Sequence, residues 1–304
     1  MSRILIVGSA NVDYTVALSR LPRPGETVTG GTLLVNHGGK GANQAVAARR
    51  LGADVRVIAC VGDDAPGRDV RMALEREGIG VGGVVTTATA ATGIALITVD
   101  AEGRNQIAVA PGANRALGPE HVRARADDVA WAQVVVCQLE TPLPTVRAAL
   151  EMARGRGVTT VLNPAPVPDA PIDFWPLCDY LVPNEIEAER LSGVPAPDRA
   201  GAAAAARVLR ERGVGTVIVT RGASGVLAYG GNGEVECPAF AVTVVDTTAA
   251  GDAFNAARAV ALAEGRELAD ALRFGSATAA LACTRRGAQP SLPSRVEVER
   301  LLAR

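Results

Sequence analysis

The stretch Asp246-Thr247-Thr248-Ala249-Ala250-Gly251-Asp252-Ala253-Phe254 has the residue types and spacing best suited to chemistry. Residues 238–245 alternate before it and read as a strand. Residues 253–264 follow it, rich in Ala with Phe254, Val260 and Leu262 at helical spacing, so a helix is expected to begin near Gly251. Ala249, Ala250 and Gly251 are small enough to let a substrate approach backbone N–H groups that have no intrahelical partner. Such an N-terminus favours negative charge. Asp252 is unsuited to ligating an anion there, because its carboxylate would repel one. It suits a base that takes a proton from a hydroxyl while the adjacent amides hold a phosphoryl group. A plain helix start capped by Asp252 accounts for these nine residues equally well.

Positioning such groups needs a layered scaffold, and the chain has the pattern of one. Residues 3–8 read as a first strand, ending in Gly8-Ser9-Ala10-Asn11-Val12-Asp13. Polar groups directly after a strand's carboxyl end are where open α/β sheets bind ligands; Asn11 and Asp13 also suit a simple turn. Residues 38–50 open with glycines and continue as a helix whose start carries Lys40 and Asn43. A strand at 54–61, a helix at 67–77 and a strand at 81–86 follow. From residue 118 onward helices at 118–126, 142–156, 172–177, 185–192 and 199–212 alternate with strands at 134–138, 159–162, 180–182 and 216–220. That alternation predicts a single α/β domain over residues 1–304, with a mainly parallel central sheet and helices on both faces. Residues 14–35, with Pro22, Pro24 and Gly25 before alternating Glu26-Thr27-Val28-Thr29, read as an excursion containing short strands. A hairpin at 93–109 turns at Asp100-Ala101-Glu102-Gly103. Segments 14–35 and 93–110 are expected to form a small antiparallel β lid.

Composition narrows the function classes. A formal net charge of −1 gives no electrostatic case for nucleic acid or an anionic membrane. No apolar run approaches the roughly 18–20 residues of a membrane span. The start Met1-Ser2-Arg3 leads into a strand-like run with no small-residue cleavage site, so a cytoplasmic location is expected. Cys60, Cys137, Cys178, Cys237 and Cys283 are far apart and read as reduced, mostly buried thiols. Two histidines, His37 and His121, make a His-based zinc site improbable. Lys40 is the only lysine, so a chain that otherwise uses Arg keeps a compact point charge inside Gly38-Gly39-Lys40-Gly41.

D-T-T-A-A-G-D-A-F resembles the C-terminal signature of the ribokinase-like (PfkB) sugar kinases, and G-G-K-G-A-N-Q at 38–44 their N-terminal one. The resemblance continues through Gln138-Leu139-Glu140, Asn163-Pro164-Ala165-Pro166, Pro183-Asn184-Glu185 and Arg286-Gly287-Ala288-Gln289-Pro290-Ser291, in the family's order and over nearly the whole chain. It implies ATP-dependent phosphorylation of a sugar, with the 5-hydroxyl of ribose as the expected acceptor. Deoxyribose, another sugar or a nucleoside are the alternatives, as is a catalytically silent sugar-binding protein on the same scaffold. It implies Asp252 as base, with Ala249, Ala250 and Gly251 at the anion hole. Asn11, Asp13, Gly39, Lys40, Asn43 and Glu140 are implied around the sugar hydroxyls. Asn184 and Glu187 are implied near Mg²⁺ and the phosphates, although they also suit a helix cap with a first-turn acid. Thr220, Arg221, Gly222, Ala223, Ser224 and Gly225, with Gly251 and Ser276, are implied at the nucleotide. A monovalent cation (K⁺) is implied near Asp246, Thr248, Ala282, Arg285, Gly287 and Ser291. The family's lids pair in dimers, so a homodimer is expected. Three positions depart from the pattern: Ala249 stands where glycine is common, Ala256 where N-G-A is usual, and Arg258 where an apolar residue is expected.

Overall fold

Two sheets organise the chain, which the structure, a computed structural model, describes at residues 1–102 and 104–304. Gly103 of the expected hairpin turn lies outside the described residues. The large sheet has nine strands: β1 (Arg3–Val7), β4 (Asp54–Gly62), β5 (Gly80–Thr87), β8 (Val134–Gln138), β9 (Thr159–Asn163), β10 (Tyr180–Leu181), β11 (Thr216–Thr220), β12 (Val226–Gly230) and β13 (Gly233–Cys237). They lie in the order β13-β12-β11-β10-β9-β8-β1-β4-β5. Every pairing from β11 to β5 is parallel, and β12 and β13 add an antiparallel edge.

The central strands β1 and β8 are buried along almost their whole length because both faces are covered, whereas the edge strand β13 is mostly exposed. Successive residues feed opposite sides: Ile4 and Ile6 of β1 join one core, Leu5 and Val7 the other. Val134 and Val136 of β8 divide from Val135 and Cys137 in the same way. The first core is closed by α1 (Lys40–Arg50), α2 (Ala65–Arg76), α8 (Ala250–Ala263), α9 (Leu268–Ala282) and α10 (Arg295–Leu302). The second is closed by α3 (Pro119–Arg123), α4 (Ala126–Trp131), α5 (Leu143–Arg154), α6 (Glu185–Ser192) and α7 (Arg199–Glu211).

The small sheet has the order β3-β2-β6-β7, from β2 (Asn11–Ala17), β3 (Thr32–Gly38), β6 (Gly93–Val99) and β7 (Asn105–Ala110). Its outer pairs β2–β3 and β6–β7 are antiparallel and its central pair β2–β6 is parallel. Asn11 and Asp13 therefore sit on a strand, not in a turn, and their spacing of two puts them on one face. Glu26-Thr27-Val28-Thr29 form no strand. Glu26 instead accepts from the Arg23 N–H at 3.0 Å and pairs with Arg20.

The expected strand at 238–245 is absent as well. The β12–β13 ladder ends at Val226 opposite Cys237, and Pro238, next in the chain, has no N–H to continue it. The helix expected at 118–126 is broken into α3 and α4, and that expected at 172–177 is a single 3₁₀ turn at Trp175–Leu177.

Chain order reverses between β1 and β8, whose neighbours run outward in opposite directions. A crevice opens at the carboxyl ends of such strands. Ser9 to Asn11 leave β1 there, and Glu140 leaves β8 there.

Candidate active site

Asp252, in the first turn of α8, is 6% exposed at this crevice. Its Oδ2 accepts from Asn43 Nδ2 at 2.9 Å and its Oδ1 from Gln44 Nε2 at 3.0 Å. Both donors come from α1, which packs on α8 through small residues: Ala42, Ala45 and Ala48 on one side, Ala253, Ala256 and Ala257 on the other. Burial raises the Asp252 pKa above the ordinary carboxylate range, while the Lys40 charge and the two amides oppose it.

Around this carboxylate the structure gathers the residues assigned to the sugar. Gly39 caps α1 with φ 85°, a left-handed conformation that suits glycine, and so turns the chain into Lys40. The Lys40 N–H donates to Glu140 Oε2 at 3.1 Å, and Ser9 Oγ donates to the same oxygen. Burial alone would lower the Lys40 pKa, but Asp252, Glu140 and Glu187 together outweigh it and raise it. Asp13 is pushed up to about 6, first by burial and then by the charges of Glu140 and Asp252. Asn11 Oδ1 accepts from Asn114 Nδ2 at 2.7 Å, which turns the Asn11 amide NH₂ away as a donor. The buried Asn43 Oδ1 has no partner among the described residues. The result is a small crown of carboxylates and amides with a single cation, the pattern that suits an uncharged polyol.

On the other side of α8 lies a cleft of about 760 Å³. Thr220, Gly222, Ala223 and Gly225 form one lip, and Asn184 stands beside them. Ile186, Phe240, Val242, Val244, Phe254 and Ala279 supply flat apolar walls. Ser276 also lines it, with a buried Oγ that has no partner among the described residues. Thr247, Ala250 and Gly251 close its inner end, so α8 begins between crown and cleft. The N–H groups of Gly251 and Asp252 are at second and third helical positions, where no intrahelical acceptor exists. The Ala250 N–H is different from expectation: it donates to the Thr247 carbonyl at 3.2 Å. Ala249 caps α8 with φ 60° and is the one non-glycine residue with positive φ among those described.

Several assigned residues are not turned into the cleft. The Arg221 guanidinium is 9% exposed and pairs with Glu236 at 3.0 Å and Glu185 at 3.7 Å, so only its backbone serves the 220–225 loop. The Ser224 N–H closes that loop onto the Arg221 carbonyl. Asn184 and Glu187 form a reciprocal capping box, each side chain accepting from the other's N–H at 2.8 and 2.9 Å. One Glu187 oxygen stays outside that box, and burial raises its pKa while the Asn184 N–H and Lys40 oppose.

Asp246 bridges two loops. Its Oδ1 accepts from the Thr248 N–H at 2.9 Å and Oγ1 at 2.7 Å, and its Oδ2 from the Gly287 N–H at 2.8 Å. Burial opposes its ionisation, yet these bonds hold its pKa below the ordinary range. Ala282 and Ser291 are fully buried alongside, and the Arg285 side chain turns away to Glu297. Among the described residues no cluster of three or more His, Cys, Asp or Glu side chains is arranged to hold a metal.

Four supporting residues had no assigned role: Gln44, Gln138, Asn163 and Asn114. The first three lie inside motifs quoted for the resemblance, which was the available signal; Asn114 had none.

Residues 1–295 match the profile of the pfkB family carbohydrate kinases. The chain is 41% identical over 294 residues to a ribokinase of Haemophilus influenzae, covering 97% of this chain and 96% of that protein. It is 37% identical over 292 residues to a deoxyribokinase of Salmonella typhi, covering 96% and 95%. The structure superimposes on that of an Arabidopsis thaliana ribokinase complexed with ribose and ATP, with a TM-score of 0.90, 32% identity and 99% of both chains covered. With the family profile matched over residues 1–295 and relatives covered almost end to end, the chain, whose buried Asp252 stands at a helix N-terminus between a polar crown and an apolar cleft, belongs to the pfkB family of carbohydrate kinases.

Proposed function

We propose that the protein transfers the γ-phosphoryl group of ATP to the 5-hydroxyl of D-ribose, giving ribose 5-phosphate and ADP. The observation that carries this is the position of Asp252, buried at the start of α8 with the crown on one side and the cleft on the other. ATP lies with its base against Phe240 and Val242 and its phosphates toward Gly251. Ribose lies among Asn11, Asp13, Gly39, Lys40, Asn43 and Glu140. Asp252 takes the 5-hydroxyl proton as the oxygen bonds to the γ-phosphorus and the bond to ADP breaks. Lys40 and the N–H groups of Gly251 and Asp252 face the charge that develops on the transferred group.

Asp13, Glu140, Asp252 and Glu187 set four carboxylates against one lysine, so bringing in a polyphosphate calls for added cations. Asn184 and Glu187, with one carboxylate oxygen outside the capping box, fit Mg²⁺ held mainly through water and phosphate. Bound there, Mg²⁺ would neutralise phosphate charge. The all-oxygen donors between Asp246, Thr248, Ala282, Arg285, Gly287 and Ser291 fit K⁺ coordinated by carbonyls, with Asp246 as counter-charge.

The small sheet acts as a lid, and two copies pair through it as a homodimer. This is supported by Leu33, Leu34 and Val35 on the β3 edge and by Leu96, Ile107 and Val109, all exposed. A cytoplasmic location accords with the free cysteines, and no helix among the described residues is long and apolar enough to cross a membrane.

The test is incubation with ribose, ATP, Mg²⁺ and K⁺, followed by ³¹P NMR of the product. A 5-phosphomonoester with stoichiometric ADP is expected. Ribose binding without turnover would replace the reading with a silent sugar-binding protein.

A further inference from the structure

We propose that Gln44 is a positioning residue for the reaction: it orients the Asp252 carboxylate and keeps it ionised, and Gln138 latches Gln44 in the one amide orientation able to do so. The inference rests on the reading of Asp252 as the base.

Gln44 is fully buried on α1, one residue after Asn43. Its NH₂ group uses both hydrogens, one to Asp252 Oδ1 at 3.0 Å and one to Asn163 Oδ1 at 3.3 Å. Its Oε1 accepts from Gln138 Nε2 at 2.6 Å. Asn163 is held in turn, since its Nδ2 donates to the Val182 carbonyl at 3.0 Å. Turning the Gln44 amide over would set its oxygen against two acceptors and its NH₂ against the NH₂ of Gln138. All three bonds would be lost together, and buried groups left unpaired are expensive. A Cβ at Gly8 would lie 1.9 Å from Gln138 Oε1, so the glycine is what lets Gln138 fit. That Oε1 has no partner among the described residues, and the bond to Gln44 is what orients the Gln138 amide.

The charge balance shows why such a donor matters. The titratable groups facing Asp252 are Lys40 from α1, Glu140 after β8, Asp13 on β2 and Glu187 on α6. Three of the four are acids, and burial adds to their effect. Among the side chains facing it, Lys40, Asn43 and Gln44 oppose protonation of the base. Asn43 also stands among the groups assigned to the sugar. Gln44 lies behind Asp252 and acts only through it.

Three variants test this: Gln44→Leu removes the donor at similar volume, Gln44→Glu keeps the shape but sets an acid against Asp252, and Gln138→Leu removes the latch. Two readouts apply. The first is the carboxyl titration of Asp252 by ¹³C NMR in protein labelled at Asp, assigned with Asp252→Asn. The second is the pH dependence of kcat and of KM for ribose and ATP. A hydrogen bond to a charged group is of a size that shifts a titration by roughly one to two pH units. In Gln44→Leu the Asp252 titration and the acid limb of kcat should move up together by that amount. On the acid limb turnover should fall about 10–100-fold and recover at higher pH, with KM for ATP unchanged. Gln44→Glu should shift at least as far, and Gln138→Leu less, in the same direction.

An unmoved titration with a loss of activity equal at every pH would reduce Gln44 to a packing residue and overturn the proposal. The titration needs no turnover, so wild-type protein that phosphorylates no sugar would refute the kinase reading and leave this inference to be judged separately. If Gln44→Leu does not fold, Gln138→Leu decides, and an unshifted Asp252 in that folded variant overturns the latch.

Discussion

At the scale of single residues, a carboxylate serves as a base when its proton affinity is raised without protonation becoming permanent. Asp252 meets that condition: burial raises its pKa, and Lys40, Asn43 and Gln44 limit the rise. Asp252→Asn should therefore lower kcat by roughly 10²–10⁴-fold, while calorimetry still shows ribose and ATP binding. Near wild-type turnover would remove the assignment. Arg258 shows the opposite use of burial. It is fully buried, none of its guanidinium nitrogens has a hydrogen-bond partner among the described residues, and it lies 3.9 Å over the Tyr180 ring. A desolvated cation–π contact supplies roughly 2 kcal/mol, less than the several kcal/mol needed to bury an ion. Burial accordingly lowers the Arg258 pKa to about 9. The unfolded chain then holds this proton more tightly than the folded one, so the penalty is complete at neutral pH and fades as pH climbs past about 9. Arg258→Leu should raise Tm at pH 7.5 by roughly 5–10 °C, with a smaller gain at pH 10. A lower Tm at both pH values would mean that the arginine is stabilising.

At the scale of elements, the start of α8 depends on its flanking loops. Ala249 holds a left-handed conformation costing about 1 kcal/mol for a residue with a Cβ, at the position where the family pattern commonly has glycine. That strain is maintained by Asp246, which ties 246–248 to Gly287, and by the Cys283 carbonyl, which accepts from the N–H of Val245 at 2.8 Å. If K⁺ also binds between these loops, turnover in K⁺ should exceed that in Na⁺ or a bulky organic cation severalfold. Equal rates in all three salts would show that the loop needs no ion. The elements were unevenly legible. Parallel strands such as β1 and β8 are short apolar runs between helices, and the sequence pattern locates them. Residues 238–245 alternate like a strand, yet a proline at 238 and the end of the β12–β13 ladder leave them in no strand ladder among the described residues, and most of them run along the cleft. Asn11 and Asp13 look like turn residues, and only pairing with β3 and β6 makes them a strand. The relay from Gln138 through Gln44 joins residues 94 and 208 positions apart to their partners, which no local pattern reveals.

At the scale of the whole molecule, the small sheet supplies Asn11 and Asp13, and the large sheet with its helices supplies Lys40, Glu140 and Asp252. A ligand that binds both should couple them. Hydrogen exchange should show β2, β3, β6 and β7 less protected than β1 and β8 without sugar, and ribose should raise their protection as the site closes to water. Unchanged exchange at saturating ribose would mean that the small sheet does not move. The identity of the acceptor tests the account as a whole. A nucleoside would want stacking faces, but the crown contains no aromatic side chain among the residues assigned to it, and a sugar phosphate would want cations beyond Lys40. Sites that hydrogen-bond each hydroxyl strongly reject analogues lacking one. The most direct measurement is kcat/KM for ribose, 2-deoxyribose, fructose, adenosine and ribose 5-phosphate under one set of conditions with ATP, Mg²⁺ and K⁺. Ribose should exceed every other acceptor, and a higher value for any of them would contradict the assignment of ribose while leaving the carbohydrate kinase family intact.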